Sequence, residues 1–296
     1  MKVLLTGKNG QVGFELQRTL APLGEVHAVD SNDCDLADPK ALRALIRRVR
    51  PQVIVNPAAY TAVDKAEEQS ELAMAVNAVA PGVMGEEAAQ LGACVIHYST
   101  DYVFDGHKAT PYVESDATAP LSAYGRSKLA GEQALQAATD RHVILRTSWV
   151  VGAHGNNFAK TVLRLAGERE RLSIVNDQHG APTSAALLAD VTARLIQRLK
   201  NEDSQPFPFG LYHLSAAGDT NWCDYARFVL KHAEAAGKRS LKIKASEVTA
   251  ISSGQYPTLA QRPANSRLNT QKFRDTFQLS LPTWQEGLKP ILDHIL

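Results

Sequence analysis

The 296-residue chain has few cysteines and no long apolar run. Its three cysteines, Cys34, Cys94 and Cys223, form no C-x-x-C pair, and so sparse and odd a count suits a reducing compartment. No stretch reaches the ~18 apolar residues that a membrane span needs. The apolar run at the N-terminus is too short for a secretory signal. We therefore expect a cytoplasmic protein that binds no membrane.

An excess of charge of one sign is also missing. The 32 lysines and arginines are matched by 31 aspartates and glutamates, so the formal net charge is +1. A nucleic-acid-binding protein usually shows a basic excess or a basic stripe, and the chain has neither. Apolar residues make up 44% of the chain and charged residues 21%, which are ordinary globular values. The composition indicates a globular protein with no nucleic-acid partner.

The first half of the chain alternates short apolar runs with helical patterns. This alternation predicts βαβ units and a parallel sheet, and the nearly continuous apolar runs suit strands that are covered on both faces. The predicted strands lie at residues 2–6, 26–29, 52–56, 93–99 and 142–147. The predicted helices lie at residues 11–20, 39–49, 70–91 and 121–138. The fold class is therefore α/β, a doubly wound parallel sheet.

After residue 147 the alternation becomes less regular. Residues 201–209 are polar and proline-rich and are predicted to form a surface loop. Further helices are predicted at 158–167, 186–200, 222–235, 270–277 and 283–296, and short strands at 172–175 and 211–214. We assign residues 1–150, with some later segments returning to them, to the sheet core. Residues 151–296 are assigned mainly to a smaller C-terminal lobe.

A glycine-rich turn follows the first predicted strand and opens the first helix. Its spacing is G-x-x-G-x-x-G. Glycine permits a tight turn and a close approach of the backbone to a pyrophosphate, which the free N–H groups and the dipole of the helix then bind. The turn predicts a dinucleotide site. Its candidate residues are Gly7, Gly10, Gln11, Val12 and Gly13.

Asp30 ends the second predicted strand. A carboxylate there is placed to accept hydrogen bonds from the adenosine ribose, which favours NADH over NADPH because a 2′-phosphate would be repelled. The next residues, Ser31 and Asn32, include no arginine for that phosphate, so use of either NADH or NADPH stays open. Asp35 and Leu36 are candidates for the adenine edge.

Among the eight tyrosines, Tyr124 has a lysine, Lys128, four residues later on a predicted helix. Residues i and i+4 share a helix face, so the phenol hydroxyl and the ammonium group can reach one point. A nearby ammonium stabilises a phenolate, and we expect Lys128 to lower the pKa of Tyr124 from about 10. Tyr124 is then a proton donor. Thr100, at the end of the fourth strand, is the candidate partner hydroxyl, with Ser99 as its competitor.

These motifs resemble those of the extended short-chain dehydrogenase/reductase family, and within it the dTDP-4-dehydrorhamnose reductases. The resemblance covers essentially the whole chain. It is carried by residues 7–13, 56–64, 99–105, 124–132, 146–150, 156–160, 175–183 and 262–269. Dehydratases of the larger family have Thr-Asp-Glu where this chain has Thr100, Asp101 and Tyr102. Without that glutamate elimination lacks its base, so reduction is favoured.

The resemblance implies a reaction and a set of contacts. NAD(P)H would reduce the C4 keto group of dTDP-4-dehydro-L-rhamnose to yield dTDP-L-rhamnose, with Tyr124, Lys128 and Thr100 as catalytic residues. Either Arg262 or Arg267 would bind the substrate pyrophosphate. The implied further contacts are Ala58, Ala59, Tyr60 and Thr61 for the cofactor, and Thr61, Val63, Thr100, Asp101, Tyr124 and Trp149 for the sugar nucleotide.

A metal and two rival functions also follow from the resemblance. Some family members form a dimer bridged by Mg²⁺. Glu15 fits one ligand position, but Ala185 and His294 replace carboxylates at others, so we expect no metal site and a monomer or weak homodimer. One rival function is a nucleotide-sugar 4-epimerase. The other is a non-catalytic NADP-binding regulatory subunit, although such proteins usually lack the tyrosine.

Overall fold

The computed structural model describes residues 1–201 and 206–296. Residues 202–205 of the loop predicted at 201–209 lie outside the described residues. The strands of the central sheet are β1 (Lys2–Leu5), β2 (Glu25–Ala28), β3 (Val53–Asn56), β4 (Cys94–Thr100), β5 (His142–Thr147) and β6 (Gly210–His213). The helices are α1 (Gln11–Leu20), α2 (Pro39–Val49), α3 (Val63–Glu68), α4 (Ser70–Met74), α5 (Ala80–Leu91), α6 (Ala123–Ala138), α7 (Phe158–Glu168), α8 (Ala185–Leu199), α9 (Trp222–Ala236), α10 (Gln271–Phe277) and α11 (Trp284–Ile295).

The central sheet is parallel throughout, with strand order β2-β1-β3-β4-β5-β6. The chain moves outward from β1 to β2 and then continues on the other side of β1 with β3. In open α/β sheets ligands bind at this kind of switch point, beyond the carboxyl ends of the strands. The order therefore places the turns after β1 and β3 on the two sides of one crevice.

Helices cover both faces of the sheet, as strands that are apolar on both sides require. On one face α1 packs against α8, and on the other α2, α5 and α6 form a continuous layer. Each face has its own apolar core. The predicted α/β class with a doubly wound parallel sheet is confirmed, and the fold is Rossmann-like.

Some later segments return to the sheet. β6 extends it beside β5, while side chains of α8 and α10 join the core beneath it. A separate apolar core forms among α7, α9 and α11, with Tyr225 and Trp284 among its large members. The division of the chain near residue 150 into two domains stays a prediction.

Very short strands and turns complete the described part of the chain. The sequence reasoning missed most of these strands because two or three residues carry no readable period. The paired strands are Val150–Val151 with Thr183–Ser184, Ser173–Val175 with Thr249–Ile251, and His179–Gly180 with Thr220–Asn221. The 3-10 turns are Ala21–Leu23, Asp101–Val103, Ala245–Glu247 and Ser253–Gln255.

The long helix predicted at residues 70–91 is interrupted. A π-helical segment, Ala75–Val79, separates α4 from α5. Pro81 has no N–H to donate to the carbonyl one turn earlier, which favours such a widened turn. A Cβ added to Gly131 of α6 would lie 2.0 Å from the carbonyl oxygen of Asn77, so α6 packs directly against this segment. The widened turn thus helps to set the position of α6.

We expect Gly13→Ala to lower the free energy of unfolding by about 3 kcal/mol or more. An added Cβ would lie 2.0 Å from the carbonyl oxygen of Gly7, and that oxygen belongs to the backbone of the turn that begins α1. The matched control is Gly167→Ala in α7, where the nearest atom would be 3.6 Å away. Denaturant unfolding measures the free energy of unfolding of both variants. Equal stability of the two variants would contradict the close approach.

Candidate functional site

The glycine turn has the geometry that a phosphate-binding turn requires. Gly7 has φ +62°, and a Cβ on it would lie 3.0 Å from the Cα of Ala58, which follows β3. Gly10 is the N-cap of α1, and no side chain caps that helix end. The first-turn N–H groups of α1 are therefore available to an anion at the switch point of the sheet.

Gln11 lies within this turn, but its side chain leaves it. Its Oε1 accepts hydrogen bonds from Gly152 N at 2.8 Å and from Asn157 Nδ2 at 3.0 Å. The side chain therefore connects the turn to the segment after β5. The neighbouring Val12 is half-buried and packs against the core beneath the sheet.

Asp30 lies beside the same turn. Its carboxylate accepts hydrogen bonds from Asn9 Nδ2 and from Asn32 N. Lys8 Nζ lies 3.8 Å from Asp30 and forms an ion pair with Asp33, which raises the pKa of Lys8. The predicted ribose-binding carboxylate thus has a cation next to it.

The two candidates for the adenine edge differ in exposure. Asp35 is exposed, and its Oδ1 accepts a hydrogen bond from Ala37 N at 2.9 Å. Leu36 is buried and packs in the core with the side chains of α2. Of these two candidates, Asp35 therefore presents its side chain to solvent and Leu36 does not.

Tyr124 lies in the first turn of α6 and is half-buried beside the carboxyl end of β4. The hydroxyl of Thr100 lies next to its phenol. Desolvation raises the pKa of Tyr124, and the neighbouring Thr100 hydroxyl opposes this change. The phenol therefore stays protonated over the neutral pH range, as a proton donor must.

Ser99, the competing hydroxyl, is bound elsewhere. Its Oγ donates a hydrogen bond to Glu132 of α6, which is buried and forms a two-point ion pair with Arg146 at 2.6 and 2.8 Å. Successive residues of a strand point to opposite faces, so Ser99 and Thr100 have different neighbours. Of the two, Thr100 is the hydroxyl that contacts Tyr124.

Lys128 lies one turn after Tyr124 and is almost wholly buried. Its Nζ donates to the Tyr98 carbonyl oxygen at 2.7 Å and lies 3.2 Å from His97 Nε2. Burial lowers the pKa of Lys128 to about 8, against the opposing effect of Glu132.

These pKa directions correct the sequence-based account. We expected Lys128 to lower the pKa of Tyr124, whereas the pKa of Tyr124 is raised. Burial has the largest effect on both groups, and it disfavours phenolate and ammonium alike. Sequence reasoning also missed His97, because an apolar strand with one histidine reads as an ordinary buried strand.

Asp101 is buried next to Thr100 and Tyr124. Its Oδ1 accepts from Thr100 Oγ1 at 3.1 Å, while its Oδ2 has no hydrogen-bond partner among residues 1–201 and 206–296. Burial raises the pKa of Asp101 to about 6, although the nearby hydroxyls of Ser266 and Thr100 act in the opposite direction. One acceptor of this carboxylate therefore remains for a ligand.

Arg262 is brought to the same place from the far end of the chain. Its Nη2 lies 2.7 Å from Asp64 Oδ2, and its Nη1 is 3.5 Å from the hydroxyl of Tyr102. The ring of Tyr102 packs edge-on against Tyr124, with 5.6 Å between centroids. Arg267 instead binds Asn265 Oδ1, at 2.8 Å from its Nε, and the carbonyl of Ala109. The structure therefore brings Arg262, and not Arg267, next to the tyrosines.

Trp149 follows β5 in a backbone conformation that is rare for a bulky residue, with φ +49°. Its indole stacks on Trp222 with 3.6 Å between ring centroids. Trp222 is anchored by Nε1, which donates to Gln178 Oε1 at 3.1 Å. The sequence pointed to Trp149 alone, because Trp222 opens a helix in a distant part of the chain.

The segment after β3 forms the remaining wall. Ala58, Ala59 and Tyr60 are half-buried, Thr61 is exposed, and Val63 begins α3. Both backbone groups of Tyr60 are held by Asn77: its N donates to the amide oxygen at 2.8 Å, and its O accepts from the amide nitrogen at 3.0 Å. Tyr60 also packs with Tyr124 around a small apolar cluster. The π-helical segment that contains Asn77 therefore holds this wall as well.

The described residues contain neither a metal-binding cluster nor a helix that could span a membrane. Across residues 1–201 and 206–296, no three His, Cys, Asp or Glu side chains form a group that could hold a metal ion. Within the same ranges, every helix is too short or too polar to span a membrane.

Comparison with known proteins places the chain in a family. The model of the RmlD substrate binding domain family matches residues 1–296. The dTDP-4-dehydrorhamnose reductase of Escherichia coli K12 is 51% identical over 299 residues, which cover 100% of this chain and 98% of that protein. A dTDP-4-dehydrorhamnose reductase structure from Clostridium acetobutylicum has a TM-score of 0.90 at 36% identity, covering 99% of each chain. One from Bacillus anthracis in complex with NADP has a TM-score of 0.89 at 34% identity, covering 99% of this chain and 98% of that one. The chain therefore belongs to the RmlD substrate binding domain family.

Proposed function

We propose that this chain is an NADPH- or NADH-dependent dTDP-4-dehydrorhamnose reductase that reduces the C4 keto group of the sugar to a hydroxyl. The observation that carries the proposal is the half-buried phenol of Tyr124 next to the hydroxyl of Thr100, with the buried Lys128 one turn later, at the same sheet edge as the glycine turn. The names of the relatives support the substrate class, and the NADP complex of the Bacillus anthracis protein supports the cofactor class.

The glycine turn fits a dinucleotide. A side chain at Gly7 would meet Ala58, and the uncapped N-terminus of α1 offers N–H groups to a pyrophosphate. Asp30 suits a free ribose hydroxyl, while Lys8 beside it supplies a cation for a 2′-phosphate, so we propose that either reductant is accepted. The bound dinucleotide supplies the hydride.

The residues of the chain then handle the proton and the orientation of the sugar. Tyr124 Oη donates its proton to the oxygen that was the C4 carbonyl, and Thr100 holds that oxygen by a hydrogen bond. Lys128 supplies positive charge beside the phenolate that remains. The free Oδ2 of Asp101 accepts from a sugar hydroxyl, and the indole of Trp149 packs against the sugar.

Arg262 is our choice for the substrate pyrophosphate. It already pairs with Asp64 at the mouth of the crevice, and a guanidinium can share its five N–H donors between a carboxylate and a phosphate. In this arrangement residues 1–150 hold the dinucleotide and the reacting end of the sugar nucleotide, and residues 151–296 complete the substrate site with Arg262. We propose that the protein is a monomer or a weak homodimer, which light scattering with and without Mg²⁺ tests.

The test is a reductase assay with purified protein. We expect NADPH or NADH to be oxidised only when a 4-keto nucleotide sugar is added, and faster with the dTDP-linked than with the UDP-linked sugar. Sugar turnover without net loss of reductant would favour the 4-epimerase. Tight NADP binding with no turnover of either sugar would favour the regulatory subunit.

A further inference from the structure

A line of four buried polar side chains runs through the sheet to Lys128. Thr6 Oγ1 donates to Asn56 Oδ1 at 2.6 Å, and Asn56 Nδ2 lies 3.0 Å from His97 Nδ1. His97 Nε2 then lies 3.2 Å from Lys128 Nζ. Each of the four side chains is at most 2% exposed. The line passes from the end of β1 through β3 and β4 to α6, and it lies beneath the crevice.

The hydrogen bonds of Lys128 show what His97 does. An ammonium has three N–H donors. The carbonyl of Tyr98 takes one at 2.7 Å, and His97 lies within reach of the second. No other described residue accepts from Nζ, so the third donor is free for a ligand. Two fixed partners determine the direction of the third donor.

We propose that His97 is a positioning residue for Lys128 and that, through Asn56 and Thr6, it aims the lysine amine at the reactive end of the crevice. The inference rests on the proposed function, because it concerns the lysine of the same site. His97 touches neither the sugar nor the dinucleotide in this account. It acts through Lys128 alone.

The neutral state of His97 is compatible with this role. Burial, together with the charge of Lys128, holds the pKa of His97 well below its usual range, so the imidazole is neutral. A neutral ring has one N–H and one lone pair. Around Lys128 the other charged groups are Glu132 of its own helix and Arg146 of β5, which pairs with Glu132.

The tautomer of His97 is linked to the charge of Lys128. With Asn56 Nδ2 facing Nδ1, the ring proton is on Nε2 and faces the lysine, which must then be an amine. A charged Lys128 needs the lone pair on Nε2. The proton then moves to Nδ1, and the Asn56 amide turns by half a rotation to present its oxygen. The two hydrogen-bonded states of the line therefore differ by one proton on Lys128.

Two amide substitutions separate positioning from simple core packing. In His97→Gln the side-chain oxygen can occupy the place of Nε2 and accept from Lys128, whereas the shorter amide of His97→Asn reaches only the place of Nδ1. We expect the Gln variant to retain kcat within about threefold and the Asn variant to lose about tenfold or more. In the Asn variant the alkaline midpoint of kcat moves to lower pH by about one unit, because the ammonium has lost an acceptor. The KM for the nucleotide sugar stays unchanged in both.

Equal losses in the two variants, or an Asn variant with wild-type kcat and pH profile, would overturn the inference. If the Asn variant does not fold, ¹⁵N NMR of the imidazole in the wild-type protein decides instead. We expect the His97 proton to be on Nδ1 at about pH 6 and on Nε2 at about pH 10. The same His97 tautomer at both pH values would refute the link between this tautomer and the charge of Lys128. A wild-type protein that reduces no sugar nucleotide refutes the proposed function, while the NMR measurement still tests the contact between His97 and Lys128.

Discussion

Replacement of Tyr124 by phenylalanine is expected to lower kcat by about 10³-fold. The substitution removes only the hydroxyl, and a positioned general acid contributes about 10²- to 10⁴-fold to a rate. The hydroxyl of Thr100 remains, but an aliphatic hydroxyl is too weak an acid to replace a phenol. Steady-state kinetics with saturating reductant and sugar nucleotide measure the loss. The affinity for NADPH, measured by fluorescence titration, stays near that of the wild type.

The matched control for this variant is Tyr98→Phe. Tyr98 is a buried tyrosine of β4, but its hydroxyl faces the opposite layer and contacts Thr192 and the Leu188 carbonyl of α8. Its loss removes these two hydrogen bonds, each worth about 1 kcal/mol of stability, and leaves kcat unchanged. A Tyr124→Phe protein as active as Tyr98→Phe would assign the proton to another donor.

The second large effect concerns Lys128. We expect the kcat of the wild type to decline above pH 8, because burial lowers the pKa of Lys128 to about 8. We expect Lys128→Met to lower kcat by about 10²-fold and to lack this decline. Below this pH the ammonium is present, and above it the charge beside Tyr124 is lost. A pH series of kcat for both proteins measures the difference.

The same pKa predicts a change in stability with a defined sign. The pKa of Lys128 is about 8 in the folded protein and 10.5 in the unfolded chain. Between these values the unfolded chain binds more protons, so the contribution of Lys128 to the free energy of unfolding rises with pH. The wild type should therefore gain stability relative to Lys128→Met across this window.

Lys272→Met is the matched control. Its Nζ also donates to a backbone carbonyl, that of Leu211, at 2.8 Å, but it is an exposed residue of α10. We expect wild-type kcat and an unchanged decline above pH 8. If the decline persists in Lys128→Met, the titrating group is not Lys128.

The sequence predicted the elements that local patterns encode. Apolar runs located every strand of the central sheet, and the spacing from Tyr124 to Lys128 located the helix face that enters the site. The interruption of the helix at residues 70–91 was missed: Pro81 is visible in the sequence, but the close approach of Gly131 from another helix is not. Local propensity contains no information about such a contact.

The rest of the site depends on contacts between distant parts of the chain. Arg262 reaches Tyr102 and Asp64, and Trp222 reaches Trp149, only because the fold brings them together. The sequence did not predict the directions of the pKa shifts either. Spacing shows that two groups are near each other, whereas the degree of burial decides which charge state each prefers.

The stacked indoles also limit how this wall of the crevice can change. A Cβ added to Gly180 would lie 2.6 Å from Cε2 of Trp149, so the large ring and the bare glycine fill one space between them. A side chain at position 180 fits only when position 149 carries something smaller. Reshaping of this wall, by selection or by engineering, therefore has to alter both positions together.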